Sequence, residues 1–264
     1  MADTIDINNI DNIETKDDEE TDMGALIDMV FIMENEKLYQ ELIREIPLSL
    51  GKSTSKKERD DQGLKSPTLA YGEIEYQTFG VIMEKIKKVY GKPDIGTSGS
   101  TGFCQVRGGT FYDLGCGTGK PLLAAATLYP FDVCIGIEIL EGLFTLSTAA
   151  VVAYNVKGKA KGLDSQLQTL KGDFLNIKFK DWRDGDVVFC NSTCFDDKIM
   201  DKLAAISNGM KKGSFFITLT RRLPTNDFVV LEHELHKMSW GDATVFIHQK
   251  ISEPRDFTPF PEYE

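Results

Sequence analysis

The sequence has no apolar run long enough to cross a membrane, which would require about 18 uncharged residues. Its first 22 residues are acidic, whereas a secretory signal begins with basic residues and continues with apolar ones. We therefore expect a soluble intracellular protein with no membrane partner. The sequence does not distinguish nucleus from cytoplasm.

Cysteine is scarce and lacks the spacing of a metal site. Five cysteines occur, at positions 104, 116, 134, 190 and 194, and none of them forms a CxxC pair. Most lie inside apolar runs, which favours buried, reduced thiols over disulfides. Because Cys190 and Cys194 have no histidine nearby, we predict no metal site.

Positive charge is also in short supply. The formal net charge is −11, and residues 1–22 contain nine acidic residues against Lys16. We interpret this segment as a disordered acidic tail that either attracts basic proteins or only keeps the chain soluble. The remaining residues are nearly balanced in charge. We therefore do not expect the broad basic surface that strong direct DNA binding requires.

The hydrophobic pattern predicts helices before the main domain. With 41% hydrophobic residues among 264, the chain is long enough for one well-buried domain. Residues 23–50 carry apolar side chains at helical intervals, and residues 52–67 are polar and charged and end in Pro67. We assign residues 23–67 to N-terminal helices and a linker. A further helix is expected over residues 74–91, followed by a flexible loop.

From residue 109 onward, short β-rich runs alternate with longer helical segments. Strands are expected at TFYDLG, DVCIGIEIL, LQTLKGDF, DVVFCNST, SFFITLT, DFVVLEHEL and ATVFIHQKI. This alternation is typical of an α/β fold with a doubly wound, mainly parallel sheet, to which the last two strands add an antiparallel edge. We place the main domain at residues 68–252 and a C-terminal tail at residues 253–264.

The stretch FYDLGCGTGKP, residues 111–121, forms the turn between the first strand and its helix. A Walker phosphate loop would need glycine at 114 and Ser or Thr at 121, where Leu114 and Pro121 stand. A dinucleotide GxGxxG motif would need glycine in place of Lys120. What remains is an acidic residue, Asp113, followed by glycines that let the backbone approach an amino-acid-like tail and a ribose.

Acidic residues follow two further strands. Glu138 ends the second strand, where an acid can bind a ribose diol. Asp173 and Phe174 follow the third strand, where they can bind the amine and the face of an adenine. Each motif alone also fits an ordinary turn or a solvated acid. Together they indicate a pocket for adenosine with a charged amino-acid tail, which is S-adenosylmethionine.

Six blocks resemble, in the same order, those of the Dot1-type protein-lysine methyltransferases: YGEI at 71–74, YDLGCGTGK at 112–120, IGIE at 135–138, KGDF at 171–174, VVFCNSTCF at 187–195 and SWGDATVFIH at 239–248. The resemblance covers about residues 68–250 and implies a Rossmann-like, seven-strand methyltransferase fold. It implies ten residues that bind the cofactor: Tyr71, Gly72, Glu73, Asp113, Gly115, Gly117, Glu138, Asp173, Phe174 and Asn191. It also implies two catalytic residues. Tyr71 would lie in a loop that closes over the methionine end, and Asn191 would orient the amine or the cofactor through its amide oxygen.

Several positions near the implied lysine channel depart from the family pattern. The resemblance assigns aromatic residues to this region: Phe189, Phe195 and Trp240. Ser192 and Thr193 stand where the family has a second Asn and a Phe, and Lys120 replaces a glutamine. Val245 or Phe246 falls where a channel tyrosine is expected. These departures concern the choice of substrate.

The resemblance therefore implies an S-adenosylmethionine-dependent protein-lysine N-methyltransferase whose substrate is a histone H3 lysine. The acidic balance and the altered NSTCF block favour the same chemistry on a non-histone protein as the alternative. A non-catalytic module that only binds the cofactor also stays open. A small-molecule or RNA methyltransferase stays open as well, although the chain shows no obvious basic, aromatic surface for RNA.

Overall fold

The protein is built around a seven-stranded sheet in a computed structural model that describes residues 17–90 and 108–263. The strands are β1 (Thr110–Leu114), β2 (Val133–Glu138), β3 (Gln166–Lys171), β4 (Val187–Cys190), β5 (Phe215–Leu219), β6 (Phe228–Met238) and β7 (Gly241–Lys250). Their order across the sheet is β3-β2-β1-β4-β5-β7-β6. The seven strands match the segments predicted from the sequence.

The sheet is parallel except at one edge. Strands β1 to β5 pair in parallel, and β7 pairs antiparallel with both β5 and β6. The winding reverses between β1 and β4, because β2 and β3 lie on one side of β1 and β5 on the other. Ligands of open parallel sheets bind at the carboxyl ends of the strands at such a reversal. The predicted doubly wound α/β fold is therefore confirmed.

Six α-helices are described: α1 (Asp17–Ile43), α2 (Leu48–Asp61), α3 (Tyr76–Lys85), α4 (Lys120–Leu128), α5 (Glu141–Ala153) and α6 (Asp197–Ser207). Single π-helical turns extend α3 to Tyr90 and α5 to Gly158, and short 3-10 turns lie at Pro67–Leu69 and Pro261–Tyr263. Of the helices in the described part of the chain, none is long and apolar enough to cross a membrane.

The two faces of the sheet carry separate hydrophobic cores. Phe111 on β1 packs into a core with residues of α1, α3 and α4, such as Phe79. Tyr112, the next residue, belongs to the opposite core with Trp182 and α6. Successive side chains of a strand point to opposite faces, so helices on both sides are needed to cover this sheet.

The linker predicted for residues 52–67 is largely wrong, since α2 extends to Asp61. This helix is mostly polar, and it is stabilised by tertiary contacts that the local pattern does not reveal. Its Glu58 accepts hydrogen bonds from the backbone N–H groups of Glu141 (2.8 Å) and Gly142 (2.7 Å), the first two residues of α5. A carboxylate at this position satisfies orphan donors and complements the helix dipole.

Other sequence expectations have mixed outcomes. Helix α1 begins at Asp17, so residues 17–22 of the predicted acidic tail are helical, and the rest of that tail lies outside the described residues. The glycine-rich loop predicted after residue 91 also lies outside them. Three of the described cysteines are buried free thiols, as predicted, and Cys194 is free but exposed. Cys104 falls in the undescribed part.

Candidate functional site

A cavity of about 230 Å³ opens at the carboxyl ends of β1, β2 and β4, at the point where the winding reverses. All ten residues predicted to bind the cofactor line it: Tyr71, Gly72, Glu73, Asp113, Gly115, Gly117, Glu138, Asp173, Phe174 and Asn191. These residues come from five separate stretches of the chain. The structure thus brings the predicted set together, and their individual roles in binding stay predictions.

The turn after β1 is shaped by glycines in left-handed conformations. Gly115 has φ +80°, Gly117 has φ +56° and Gly119 has φ +79°. Other residues rarely adopt these angles, because a Cβ would crowd the backbone. Pro121, the second residue of α4, fits there because the first N–H groups of a helix have no intrahelical acceptor. The turn therefore presents backbone to the cavity.

Asp113 places an unsatisfied acceptor at the base of this turn. The residue is buried, and its Oδ2 has no hydrogen-bond partner among the described residues. Burial, and then the charge of Glu138, raises the pKa of Asp113 well above its usual range. A buried carboxyl oxygen without a donor is costly. This oxygen therefore fits a ligand that brings a positively charged donor, such as the ammonium group of an amino-acid tail.

Glu138 is held from two sides by backbone donors. Its Oε2 accepts from the N–H of Gly117 at 2.8 Å, and its Oε1 accepts from the N–H of Leu140 at 2.8 Å. Burial raises the pKa of this carboxyl. Each oxygen keeps a second lone pair. The fixed carboxylate can therefore accept two further hydrogen bonds, which matches the two hydroxyl groups of a ribose.

Tyr71 closes the cavity from the loop before α3. Its ring is flanked by two glycines, since a Cβ at Gly51 would lie 2.4 Å from Cε1 and one at Gly117 would lie 2.5 Å from Cε2. Its hydroxyl donates to Oε1 of Glu73 at 2.5 Å and lies 2.7 Å from Oγ1 of Thr118. Burial and the Glu73 carboxylate raise the pKa of Tyr71. The phenol therefore stays protonated, and it acts as a donor rather than as a base.

Lys120 fastens the same loop to the glycine turn. Its Nζ lies 2.8 Å from Oε1 and 2.7 Å from Oε2 of Glu73, and both side chains are mostly buried. In the sequence, Lys120 stands out because it rules out a dinucleotide motif and departs from the family pattern. Its partner lies 47 positions earlier in the chain, and no local pattern indicates that pairing.

Asn191 follows β4 and faces the same loop. Its Nδ2 donates to the carbonyl of Gly72 at 3.3 Å, and its Oδ1 accepts from Oγ1 of Thr193 at 2.9 Å. We expected the amide oxygen to orient an amine or the cofactor. In the structure that oxygen is already engaged by Thr193, one of the departures from the family pattern, so this part of the expectation needs correction. The backbone N–H of Thr193 also donates to Oδ1, at 3.4 Å, so both lone pairs of this oxygen are occupied.

Asp173 and Phe174 form the wall after β3. Oδ1 of Asp173 accepts from the N–H of Leu175 at 2.9 Å, and Oδ2 accepts from the hydroxyl of Tyr263. The ring of Phe174 stacks on that of Phe195, with centroids 5.9 Å apart and planes 24° apart. This wall combines a flat apolar surface with a carboxylate, which suits a purine that carries an amine.

The remaining aromatic candidates have different surroundings. Phe189 lines the cavity and packs edge-to-face on Phe79, with centroids 5.5 Å apart. Trp240 lies behind the loop, since a Cβ at Gly72 would come within 2.5 Å of its ring. Val245 is buried in the core, and Phe246 stacks between two histidines on strands β6 and β7. Neither lines the cavity, so neither replaces a channel tyrosine there.

The charges of the cavity are unequal. Among the described lining residues, four are acidic and one is basic: Glu73, Asp113, Glu138, Asp173 and Lys120. Such a lining opposes a diphosphate and favours a ligand with positive charge. The glycine turn, the orphan oxygen of Asp113 and the doubly held Glu138 therefore fit an adenosyl group with a cationic amino-acid tail.

The chain is similar to 24-methylenesterol C-methyltransferase 2 of Oryza sativa subsp. japonica, with 28% identity over 134 residues that cover 50% of this chain. The match spans 35% of the length of that relative. Among solved structures, it is similar to TrmN from Thermus thermophilus (19% identity, TM-score 0.44, 55% of this chain and 45% of that one). It is also similar to the M1A22 tRNA methyltransferase TrmK of B. subtilis (12% identity, TM-score 0.43, 65% of each chain).

The match that identifies the family is to a model described as "Histone methylation protein DOT1". It covers residues 101–244, which is more than half of the 264-residue chain and includes the glycine turn, Glu138, Asp173 and Asn191. This chain belongs to the DOT1 family.

Proposed function

We propose that the protein is an S-adenosylmethionine-dependent protein-lysine N-methyltransferase that acts on a histone H3 lysine. The observation that carries this proposal is the single cavity in which the glycine turn, the orphan oxygen of Asp113 and the Tyr71 loop meet. Membership of the DOT1 family supports the choice of a protein substrate.

Different lining residues would bind different parts of the proposed cofactor. Asp113 would hold the ammonium group of the amino-acid tail, and Lys120, which also lines the cavity, would provide a cation for the carboxylate. Glu138 would take the ribose hydroxyls, and Asp173 and Phe174 the adenine. When bound, S-adenosylmethionine supplies a methyl group on a positively charged sulfur. The excess of carboxylates over lysine in the lining favours that cationic ligand.

On the acceptor side, the protein must receive a lysine in its neutral form, because an ammonium group has no lone pair. Apolar lining such as Phe189, Phe195 and Ile74 desolvates an entering amine and lowers its pKa. Tyr71 is fixed as a donor by Glu73. Asn191 donates to the carbonyl of Gly72, so it would act by holding the Tyr71 loop against the end of β4, where the amine enters. Positioning, rather than a nucleophilic side chain, would therefore provide the catalysis.

A non-histone protein is the second candidate acceptor. The net charge of −11 argues against strong binding to nucleosomal DNA, and Thr193, absent from the family pattern, engages the amide of Asn191. Both observations concern the acceptor and leave the cofactor proposal unchanged.

Incubation with methyl-labelled cofactor and separate acceptors tests the function. The acceptors are nucleosomes, free histones, a protein lysate, transfer RNA and a sterol. We expect label on a lysine of histone H3. Label on another protein's lysine would support the second candidate. Label on RNA or sterol, or cofactor binding without transfer to any acceptor, would overturn the proposed function.

Three variants test the assigned roles. Asp113→Ala and Glu138→Ala should each weaken cofactor binding by about tenfold to a hundredfold, because each removes hydrogen bonds to a charged group. Asn191→Ala should keep binding and lose turnover. Glu141→Ala is the matched control, since this exposed acid lies three residues after Glu138 and outside the cavity. Binding is measured by calorimetry, and normal turnover of Asn191→Ala would remove its catalytic role.

A further inference from the structure

The chain after β7 folds back along α6 and reaches the outer side of the cavity wall. Lys202 of α6 pairs with Glu262, and its Nζ lies 4.8 Å above the ring of Phe260. Phe257 packs against Phe260 with centroids 5.1 Å apart. Both rings and that of Tyr263 pack against the same hydrophobic core as Phe174 and Phe195. Residues expected to form only a tail are therefore attached to the domain at several points.

At the end of this segment, Tyr263 contacts a residue of the cavity. Its hydroxyl donates to Oδ2 of Asp173, 90 positions earlier in the chain. The other oxygen, Oδ1, accepts from the N–H of Leu175. Tyr263 itself does not line the cavity, whereas Asp173 does. The hydrogen bond therefore gives this tyrosine a route to a ligand through the Asp173 carboxylate.

We propose that Tyr263 is a positioning residue for the adenine end of the site, which it serves by fixing the Asp173 carboxylate. This inference rests on the proposed function, because it assumes that an adenine binds at Asp173 and Phe174.

A side-chain carboxylate rotates about its terminal bond unless it is held. Here a backbone donor and a phenol donor hold one oxygen each, so the plane of the group is fixed before any ligand arrives. Each oxygen keeps another lone pair, and an exocyclic amine can use it. Fixing the acceptor in advance spares the ordering that binding would otherwise require.

The first test compares Tyr263→Phe with the wild type by calorimetric titration of S-adenosylhomocysteine. Loss of one hydrogen bond to a charged acceptor should weaken binding by roughly tenfold. Tyr90→Phe is the matched control, since it removes a phenol that donates to the Glu232 carboxylate at 2.6 Å, and neither residue lines the cavity. It should bind like the wild type. Unchanged binding by Tyr263→Phe would overturn the inference, and no binding by the wild type would instead overturn the proposed function.

A second test separates positioning from general support of the fold. In an Asp173→Ala background, Tyr263→Phe should cause no further loss of affinity, because the group through which it acts is gone. An S-adenosylhomocysteine analogue that lacks the 6-amino group should likewise bind to Tyr263→Phe as tightly as it binds to the wild type. Equal losses for both ligands, or additive losses in the double variant, would show a merely structural role and overturn the inference.

Discussion

Replacing Lys120 by methionine should destabilise the protein, because the change leaves the Glu73 carboxylate buried without its cation. The lysine lies 2.8 and 2.7 Å from the two carboxylate oxygens, and the side chains are only 6% and 13% exposed. Removing one partner of a buried pair costs about 3–5 kcal/mol. Glu73 keeps the hydrogen bond from Tyr71 and borders the open cavity, so we expect about 3 kcal/mol, the lower end of that range.

The partner variant shows whether this loss belongs to the pair. In Lys120→Met combined with Glu73→Gln, no buried charge is left alone, and the double variant should recover at least about 2 kcal/mol relative to the sum of the single changes. A matched control is the exposed pair Lys212 and Glu253, with 3.6 Å between Nζ and Oε1 and exposures of 60% and 79%. Its coupling should stay below about 1 kcal/mol.

Urea unfolding followed by circular dichroism measures all of these free energies. The coupling of the buried pair should persist in high salt, whereas any coupling of the exposed pair should disappear. Two results would refute the reasoning: strictly additive effects of the Lys120 and Glu73 changes, or a cost for Lys120→Met no larger than that for Lys212→Met. Either would mean that the loop over the glycine turn is held by something other than this ion pair.

Two further predictions concern the turn and the core. In calorimetry, Gly117→Ala should weaken the binding of S-adenosylhomocysteine far more than Gly115→Ala does. Both changes strain a positive φ, but only a Cβ at 117 meets Tyr71, since nothing lies within 4 Å of a Cβ at 115. Equal losses of affinity in the two variants would refute this prediction. Burial lowers the pKa of His248 to about 4 in the folded protein. As the pH falls below 6.5, this histidine is therefore protonated in the unfolded chain while it is still neutral in the folded one. Stability should therefore drop by on the order of 3 kcal/mol between pH 7 and pH 4. In urea unfolding, His248→Gln should not show this part of the loss of stability between pH 7 and pH 4. A variant with the same pH dependence of stability as the wild type would contradict the prediction.

The sheet was predictable because its signals are local. Strands β1, β2 and β4 are short apolar runs, and a helix follows each of them, so the alternation predicts a parallel sheet. The acids Asp113, Glu138 and Asp173 each stand at or just after the end of a strand, and the carboxyl ends of neighbouring parallel strands lie at one edge. Their meeting in one cavity follows from the topology alone.

The parts that sequence analysis missed depend on contacts between distant positions. Helix α2 has a polar sequence, and it is anchored by Glu58 at the start of α5 and by Gly51 against Tyr71. Lys120 stands out in the sequence as a substitution, but its pairing with Glu73 can be seen only in the folded structure. Tyr263 is 90 positions from Asp173, and no spacing rule links them.

The two sides of the cavity are built from different kinds of contacts. This difference bears on which parts of the family's chemistry can be expected of this protein. The cofactor side consists of backbone donors, glycines and carboxylates held by backbone, which leave little freedom for a different ligand. The proposed acceptor side is a chain of hydrogen bonds from the Gly72 carbonyl through Asn191 and Thr193 to Thr220. Thr220 has φ +64°, an unusual angle for a β-branched residue, and such strain tends to lie at functional sites. Because Thr193, one of the departures from the family pattern, lies in this second chain, the acceptor is the part of the proposed chemistry in which this protein has room to differ from its family.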